Sequence, residues 1–326
     1  MTSWYNDIIN NNHSIWWNYT DYLRWIYNGC EINYDVIKLN IDKCEFTELP
    51  ETICNLINLQ ELYCNNNQLT KLPKTLGNLT KLKILDCSGN KLIKLPKTIN
   101  NLSNLQKLHC DYNQIIKLPK NISNLTKLQI LFCDNNQLIK LPKTINNLIN
   151  LQELYCCDNK LIKLPEILSN LINLRILNCN DNKLIKLPKT IGDLINLRIL
   201  WCSYNDLTEL PETISNLINL NDLSCCNNEL IKLPKTINNL INLQTISCSY
   251  NKLKKLPKTI CDLINLQNLY CIYNELTKLP KNIGNLINLQ VLDCTTNKLI
   301  KIPKSLNNLT KLRYFNCDME IYNYKI

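Results

Sequence analysis

Cysteine is the chemically reactive residue that recurs most regularly in this chain. Twelve of the 18 cysteines are spaced 23 residues apart, from Cys64 to Cys317. Thiolates bind Zn²⁺ and thiols form disulfides, but in adjacent parallel coils these sulfurs would stand in a line about 5 Å apart, which does not surround a tetrahedral ion. The same position calls for an inward apolar residue, and a buried thiol packs as a small hydrophobe. We expect reduced thiols in a core, with zinc binding and disulfide bonding as the alternatives.

The remaining cysteines lie outside that row, at Cys30, Cys44, Cys54, Cys157, Cys226 and Cys261. We expect Cys157 and Cys226 to face outward and to react most readily with thiol reagents. A disulfide scaffold is typical of a small secreted chain, whereas MTSWYNDIINNNHSIWW has neither the basic start nor the apolar core of a signal peptide. No apolar run reaches the roughly 18 residues that span a bilayer. These features predict a cytoplasmic protein.

Enzyme motifs are not found in the sequence. It lacks the phosphate-binding G-x-x-x-x-G-K-[ST] loop, the dinucleotide-binding G-x-G-x-x-G motif and the metalloprotease H-E-x-x-H motif. The two histidines, His13 and His109, are far apart, and no thiol or hydroxyl nucleophile is obviously placed beside His109. We expect a protein without catalytic activity, without a small-molecule substrate and without a cofactor.

The cysteine row belongs to a repeat that sets the positions of nearly all other residues. The frame L-x-x-L-x-C-x-x-N-x-L-x-x-L-P-x-x-I-x-x-L-x-x recurs every 23 residues and holds all twelve prolines in register. A fixed period of this length predicts a solenoid. The L-x-C alternation predicts a strand with one buried face, and Pro73 starts a segment whose Leu76 and Leu79 have helical spacing. We expect the asparagines from Asn67 to Asn297 to be buried, with amides that bind backbone groups of the adjacent turn.

Residues 36–317 resemble the leucine-rich repeat family. The L-P-x-x-I segment is similar to the 23-residue subgroup of intracellular scaffolds, and the C-x-x-N variant is similar to the repetitive leucine-rich repeat proteins of giant amoeba-infecting DNA viruses (mimivirus-type). The resemblance implies an α/β solenoid, a curved horseshoe with a parallel concave β-sheet of about 13 strands and short helical or 3-10 turns on the convex side. It also implies binding on the concave face, through no particular residue.

The ends of the chain do not follow the repeat. Residues 1–35 are predicted to form a helical cap ending near Gly29, with one apolar face made of Ile15, Trp16, Tyr19, Tyr22, Leu23 and Ile26. A solenoid exposes an apolar cross-section at its first coil, so we favour a cap over a partner-binding helix. Residues 318–326 form a C-terminal tail, in which Met319, Ile321, Tyr322 and Tyr324 either fold over the last coil or leave an open sheet edge.

The strand positions that face away from the core carry aromatic and acidic residues. Exposed aromatic side chains are enriched in binding hot spots, although stacked aromatics also stabilise a sheet without a ligand. The acidic residues favour a protein or peptide that is basic or apolar at the contact and disfavour nucleic acid. The predicted partner-binding residues are Tyr63, His109, Tyr112, Phe132, Asp134, Tyr155, Asp158, Asp181, Trp201, Tyr204, Tyr250, Tyr270 and Tyr273.

The net charge of +10 comes mainly from the segments around the prolines, nine of which read K-[LI]-P-K. Two lysine rows therefore follow one flank of the array. We favour a solvated flank that keeps the protein soluble. The leading functional hypothesis is a non-catalytic scaffold that docks another protein on the sheet face. The alternatives are attachment to a polyanion or a membrane surface through the lysine rows, and a structural or decoy protein without a dedicated ligand.

Overall fold

The computed structural model describes residues 16–318. The chain divides into two compact units, Met1–Leu138 and Ile139–Ile326. Within each unit, short parallel strands follow one another in chain order, and irregular segments with 3-10 turns connect them. The predicted solenoid of parallel strands and short helical turns is confirmed in both units.

The first unit contains six of the strands. They are β1 (Trp16–Trp17), β2 (Lys38–Asn40), β3 (Glu61–Tyr63), β4 (Ile84–Asp86), β5 (Lys107–His109) and β6 (Ile130–Phe132). From β2 onward each residue pairs with the residue 23 positions further on, so that Leu39, Leu62 and Leu85 are in register. The strand β1 adds to the predicted set, which began at Leu39, and pairs in parallel with β2.

The second unit contains eight strands in the same register. They are β7 (Glu153–Tyr155), β8 (Ile176–Asn178), β9 (Ile199–Trp201), β10 (Asp222–Ser224), β11 (Thr245–Ser247), β12 (Asn268–Tyr270), β13 (Val291–Asp293) and β14 (Tyr314–Asn316). Leu200, Leu223 and Ile246 illustrate the pairing. Each of these central residues is fully buried, as is the cysteine two positions later in the same coils, so the predicted inward face of the strand is confirmed.

Most of the proline segments turn the chain through a five-residue 3-10 helix. These helices are Glu51–Asn55, Lys74–Asn78, Lys97–Asn101, Lys120–Asn124, Lys143–Asn147, Lys189–Asp193, Glu212–Asn216, Lys258–Asp262 and Lys304–Asn308. Proline precedes each of them in extended conformation and the buried Leu or Ile at their third position packs into the core, with the exception of none in this set. Two later ones are shorter, Ile237–Asn239 and Ile283–Asn285.

An α-helix, α1 (Tyr19–Tyr27), precedes the first coil. Asn18 caps its N-terminus by accepting hydrogen bonds from the N–H groups of Thr20 and Asp21, and the Asp21 carboxylate accepts from the Asn18 N–H in return. The helix ends just before Gly29, which has a left-handed φ of 91° as the sequence led us to expect. In the described part of the chain, no helix is both long enough and apolar enough to cross a membrane.

The apolar face predicted for the cap was partly wrong. Trp16 lies in β1 rather than in the helix, and Leu23 is exposed. The buried helix residues are Tyr22 and Trp25, because this side of α1 packs on Phe46 of the first coil, with the rings of Tyr22 and Phe46 5.9 Å apart.

Ile15, Met319, Ile321, Tyr322 and Tyr324 lie outside the described residues. The domain boundaries at residues 35 and 317 remain predictions.

Candidate partner-binding face

A row of buried asparagines fixes the corner that follows each strand. Asn205 is typical: its Oδ1 accepts the N–H of Leu184 at 2.9 Å, and its Nδ2 donates to the carbonyls of Cys179, Cys202 and Ser203 at 3.0–3.3 Å. One side chain thereby serves backbone groups of two successive coils, as predicted. The corner holds the residues just after each strand in fixed positions, and these residues belong to the candidate site.

A second consequence of this corner is a left-handed backbone at the residue before each ladder asparagine. Asn, Asp and Gly, which tolerate this conformation, occupy most such positions, but four of them are tyrosines. Tyr112, Tyr204, Tyr250 and Tyr273 have φ between 48° and 54° and are 48–62% exposed. The sequence placed these residues on the outer face but gave no sign of their backbone conformation, because tyrosine carries no signal for φ > 0.

In the first unit, two predicted contact residues already have partners within the protein. Tyr63 donates from its hydroxyl to Glu61 at 3.1 Å and lies 5.0 Å from Lys38 Nζ, which also forms an ion pair with Glu61. His109 Nδ1 lies 3.9 Å from a carboxylate oxygen of Asp86. The ring of His109 packs on Phe132 with centroids 4.8 Å apart, so Phe132 is half buried rather than open.

Two aspartates of the first unit differ in environment. Asp134 is only 7% exposed, so its predicted place on an open acidic surface is wrong; it lies at a tightly packed corner. Asp111 is half buried, and this desolvation, with smaller contributions from Asp86 and Asp134, raises its pKa to about 6. A hydrogen bond from its own N–H and the nearby His109 oppose the shift. Asp111 is therefore a carboxylate that is costly to ionise.

In the second unit, the exposed tyrosines lie on the same sheet face as several carboxylates. The rings of Tyr250 and Tyr273 stack with centroids 5.0 Å apart and planes inclined by 13°. Asp158 and Asp181 occupy the left-handed column and are exposed, and burial together with repulsion from Asp158 raises the pKa of Asp181. Neither aspartate has an ion-pair partner among the described residues.

The strand residues of this unit are less open than the tyrosines after the strands. Tyr155, Trp201 and Tyr270 point away from the core but are half buried by their neighbours in the sheet. Trp201 also donates a hydrogen bond to Asp222; burial raises the pKa of this carboxyl and the hydrogen bond lowers it. The predicted acidic group of Asp111, Asp134, Asp158 and Asp181 is divided, two in each unit.

The cysteine row is buried as predicted. Its members from Cys64 to Cys294 are fully buried, and Cys317 in the last coil is half buried. None of the cysteines in the described residues forms a disulfide. Cys157 and Cys226 are half buried, and desolvation raises the pKa of Cys226, which slows its reaction with thiol reagents at neutral pH.

Two features of the flanks were missed. A second asparagine row binds the preceding coil; Asn196, for example, donates to the Ile172 carbonyl at 2.7 Å. Beside it, successive isoleucines of the second unit are at least half exposed: Ile149, Ile172, Ile195, Ile218, Ile241, Ile264 and Ile287. The 23-residue spacing of the L-I-N-L motif was the signal that identifies both rows.

Parallel coils of 23 residues with a buried Leu, Cys and Asn frame define a β-solenoid repeat protein. Models of the leucine-rich repeat family match this chain, one described as a leucine-rich repeat region over residues 74–161 and 212–325, and one described as Leucine Rich Repeat over residues 58–79 and 196–217. The chain therefore belongs to the leucine-rich repeat family. Such folds are typical of protein-interaction scaffolds and are generally not enzymes.

Solved structures include several similar solenoids. A leucine-rich repeat protein of Leptospira interrogans is 37% identical with a TM-score of 0.83, over 86% of this chain and 71% of that one. The plant peptide hormone receptor RGFR1, solved in complex with RGF2, is 27% identical with a TM-score of 0.77, over 89% of this chain and 48% of the receptor. The functional domain of InlJ from Listeria monocytogenes, which includes a cysteine ladder, is 26% identical with a TM-score of 0.64, over 82% and 64%. A comparison with curated sequences finds no match.

Proposed function

We propose that this protein is a non-catalytic scaffold that binds a basic segment of another protein on its outer sheet face. The observation that carries the proposal is the set of exposed tyrosines held in a left-handed backbone conformation. This conformation costs an L-residue roughly 1–2 kcal/mol, and the cost is smaller for Asn. Tyrosine at a position where Asn or Gly fits better is a strain that a binding role explains, since strained residues cluster at ligand sites.

The charges of this face favour a basic partner. Asp158 and Asp181 lack cationic partners among the described residues, and Asp111 is partly desolvated with its pKa raised to about 6. A lysine or arginine of a bound protein would neutralise carboxylates that the fold leaves unpaired. Tyrosine adds a large contact area at low conformational entropy cost and stacks on guanidinium groups. RGFR1 was solved in complex with RGF2, which supports a peptide or protein ligand for a solenoid of this kind.

The cell compartment and the closest subgroup form part of the same proposal. The L-P-x-x-I segments and the C-x-x-N coils, similar to repeat proteins of amoeba-infecting giant viruses, are consistent with action in the cytoplasm, of a host cell if the protein is viral. The row of thiols fits that compartment, because cytosolic thiols are kept reduced.

The test uses the purified protein as bait in an extract of the native cell. We expect a captured protein to be lost when Tyr204 and Tyr250 are both replaced by serine, and to be retained in the control Tyr27→Ser, which removes a tyrosine that is 91% exposed at the end of α1. Capture should also resist about 0.5 M salt in part, since the contact includes apolar area. Equal capture by the double variant and the control contradicts a tyrosine-based site.

A further inference from the structure

A recess of about 540 Å³ opens between two successive proline segments of the second unit. Lys255, Lys258, Lys278 and Lys281 line it, together with Asn282 and the buried Cys261. No carboxylate belongs to its lining in the described chain. The recess lies on the flank of the coils, away from the tyrosines of the candidate partner-binding face.

The recess is associated with a local irregularity of the backbone. In most coils the residue after proline starts a five-residue 3-10 helix, as Lys258 does here. In the next coil Lys281 and Asn282 form a turn instead, with Asn282 at φ −97° and ψ 23°, and the 3-10 helix begins only at Ile283. The two segments therefore differ in shape where they face each other.

The charges around the recess are not compensated by the protein. Elsewhere in this unit lysines have acidic neighbours one coil away: Lys232 pairs with Glu209 at 3.8 Å, and Lys252 pairs with Glu229. The four lysines of the recess form no ion pair with any described residue. Several ammonium groups around one concavity repel one another and raise the local concentration of anions.

The same unit contains an equivalent recess with a different charge. Lys140, Lys143 and Lys163 line it, but Glu166 and Ile167 occupy the positions of Lys281 and Asn282. Its volume is about 220 Å³. It retains three lysines at the same repeat positions, so it separates the effect of a lysine row from the effect of the complete recess.

We propose that the recess formed by Lys255, Lys258, Lys278, Lys281 and Asn282 binds a compact anion that carries several phosphate groups. Each ammonium group donates up to three hydrogen bonds to phosphate oxygens, and the Asn282 amide adds a neutral donor. The recess is large enough for a small ligand and open enough to admit the headgroup of a phosphorylated lipid, which shares this chemistry. The proposal does not depend on the partner-binding function of the sheet face.

The experiment measures binding of tripolyphosphate to the full chain by calorimetry at about 0.1 M salt, with sulfate as the reference anion. We expect one site per chain that prefers tripolyphosphate to sulfate at least about tenfold. The variant Lys281→Glu with Asn282→Ile copies the lining of the smaller recess, and its affinity should fall at least about tenfold. The variant Glu166→Lys with Ile167→Asn should gain a second site, and thermal melting of each variant checks its fold.

A second arm identifies the source of the phosphate. Vesicles that contain a bisphosphorylated phosphoinositide are compared with vesicles of equal charge made with phosphatidylserine. Preference for the phosphoinositide that depends on Lys281 identifies a lipid headgroup, and tripolyphosphate binding without vesicle binding identifies a soluble ligand. Unchanged tripolyphosphate binding in the folded Lys281→Glu, Asn282→Ile variant, or equal affinity for sulfate, overturns the proposal.

Discussion

The phenol rings of Tyr250 and Tyr273 stack at 5.0 Å between centroids although both residues have φ of 54°. The stack is worth about 0.5–1.5 kcal/mol, which offsets part of the roughly 1–2 kcal/mol that the left-handed backbone costs. No ring partner of this kind is found for Tyr204 among the described residues, although it has the same φ. The two sites therefore separate backbone strain from ring stacking.

The first prediction concerns Tyr204→Asn. Because Asn tolerates φ of 54° better than Tyr, the substitution should raise the free energy of unfolding by about 0.5–1 kcal/mol, measured by urea denaturation. Tyr273→Asn should gain less or nothing, since it also removes the stack with Tyr250. The control Tyr204→Phe keeps the strain and should leave stability unchanged. A lower stability of Tyr204→Asn than of Tyr204→Phe would refute the strain argument.

The second prediction concerns the asparagine row. Asn205→Ala removes the only described acceptor for the buried N–H of Leu184 and leaves three carbonyls without their amide donor, so stability should fall by about 2–4 kcal/mol. Asn297→Ala, near the end of the array, should cost less because Asn297 is half exposed and water can replace its amide. Urea midpoints of the two variants provide the measurement, and equal losses would mean that burial does not set the cost.

The third prediction concerns alkaline pH. Burial raises the pKa of Cys179 to about 12 and raises the pKa of Cys202 and Cys225 well above the ordinary value. Unfolded thiols ionise near pH 8.5, so above that pH the unfolded chain binds fewer protons than the folded chain and stability falls as pH rises. Each thiol contributes about 1.4 kcal/mol per pH unit until its folded pKa is reached.

The measurement compares unfolding free energies between pH 9 and 10.5. The double variant Cys202→Ala, Cys225→Ala should fall less steeply than the wild type by about 3 kcal/mol per pH unit, whatever its stability at pH 7. The control Cys157→Ala lies outside the buried row and should change the slope much less. Parallel slopes for wild type and double variant would show that the thiols do not drive alkaline unfolding.

The sequence predicts the inward residues of this fold better than the outward ones. Leu62, Cys64 and Asn67 are buried as expected because a strict repeat leaves each of them one possible environment. Outward residues depend on contacts across coils that the repeat does not specify. Phe132 is half buried because His109 lies in the adjacent strand, and Asp134 is buried by its packed corner.

The N-terminal helix shows a different reason for a partial prediction. Helical spacing grouped Trp16 with Tyr22, but helix propensity and spacing do not show where a helix begins. Asn18 and Asp21 form a capping box, which starts α1 after Trp16 and leaves Trp16 free to extend the sheet. The burial of Trp25 follows from the cap's contact with the first coil, which spacing alone does not reveal.

The last prediction concerns Asp111, whose pKa is about 6 in the folded protein. An unfolded aspartate titrates near 3.9, so between these values the folded chain binds more protons and stability falls as pH rises from about 4 to 6. Because the side chain is partly exposed, we expect solvent to limit the loss to about 1 kcal/mol. Asp111→Asn should therefore be more stable than the wild type at pH 7 and about equal at pH 4, measured by thermal melting. Glu48→Gln removes an exposed carboxylate paired with Lys71 and should show no such pH-dependent gain. A stability gain for Asp111→Asn that is the same at pH 4 and pH 7 would exclude ionisation of Asp111 as its cause.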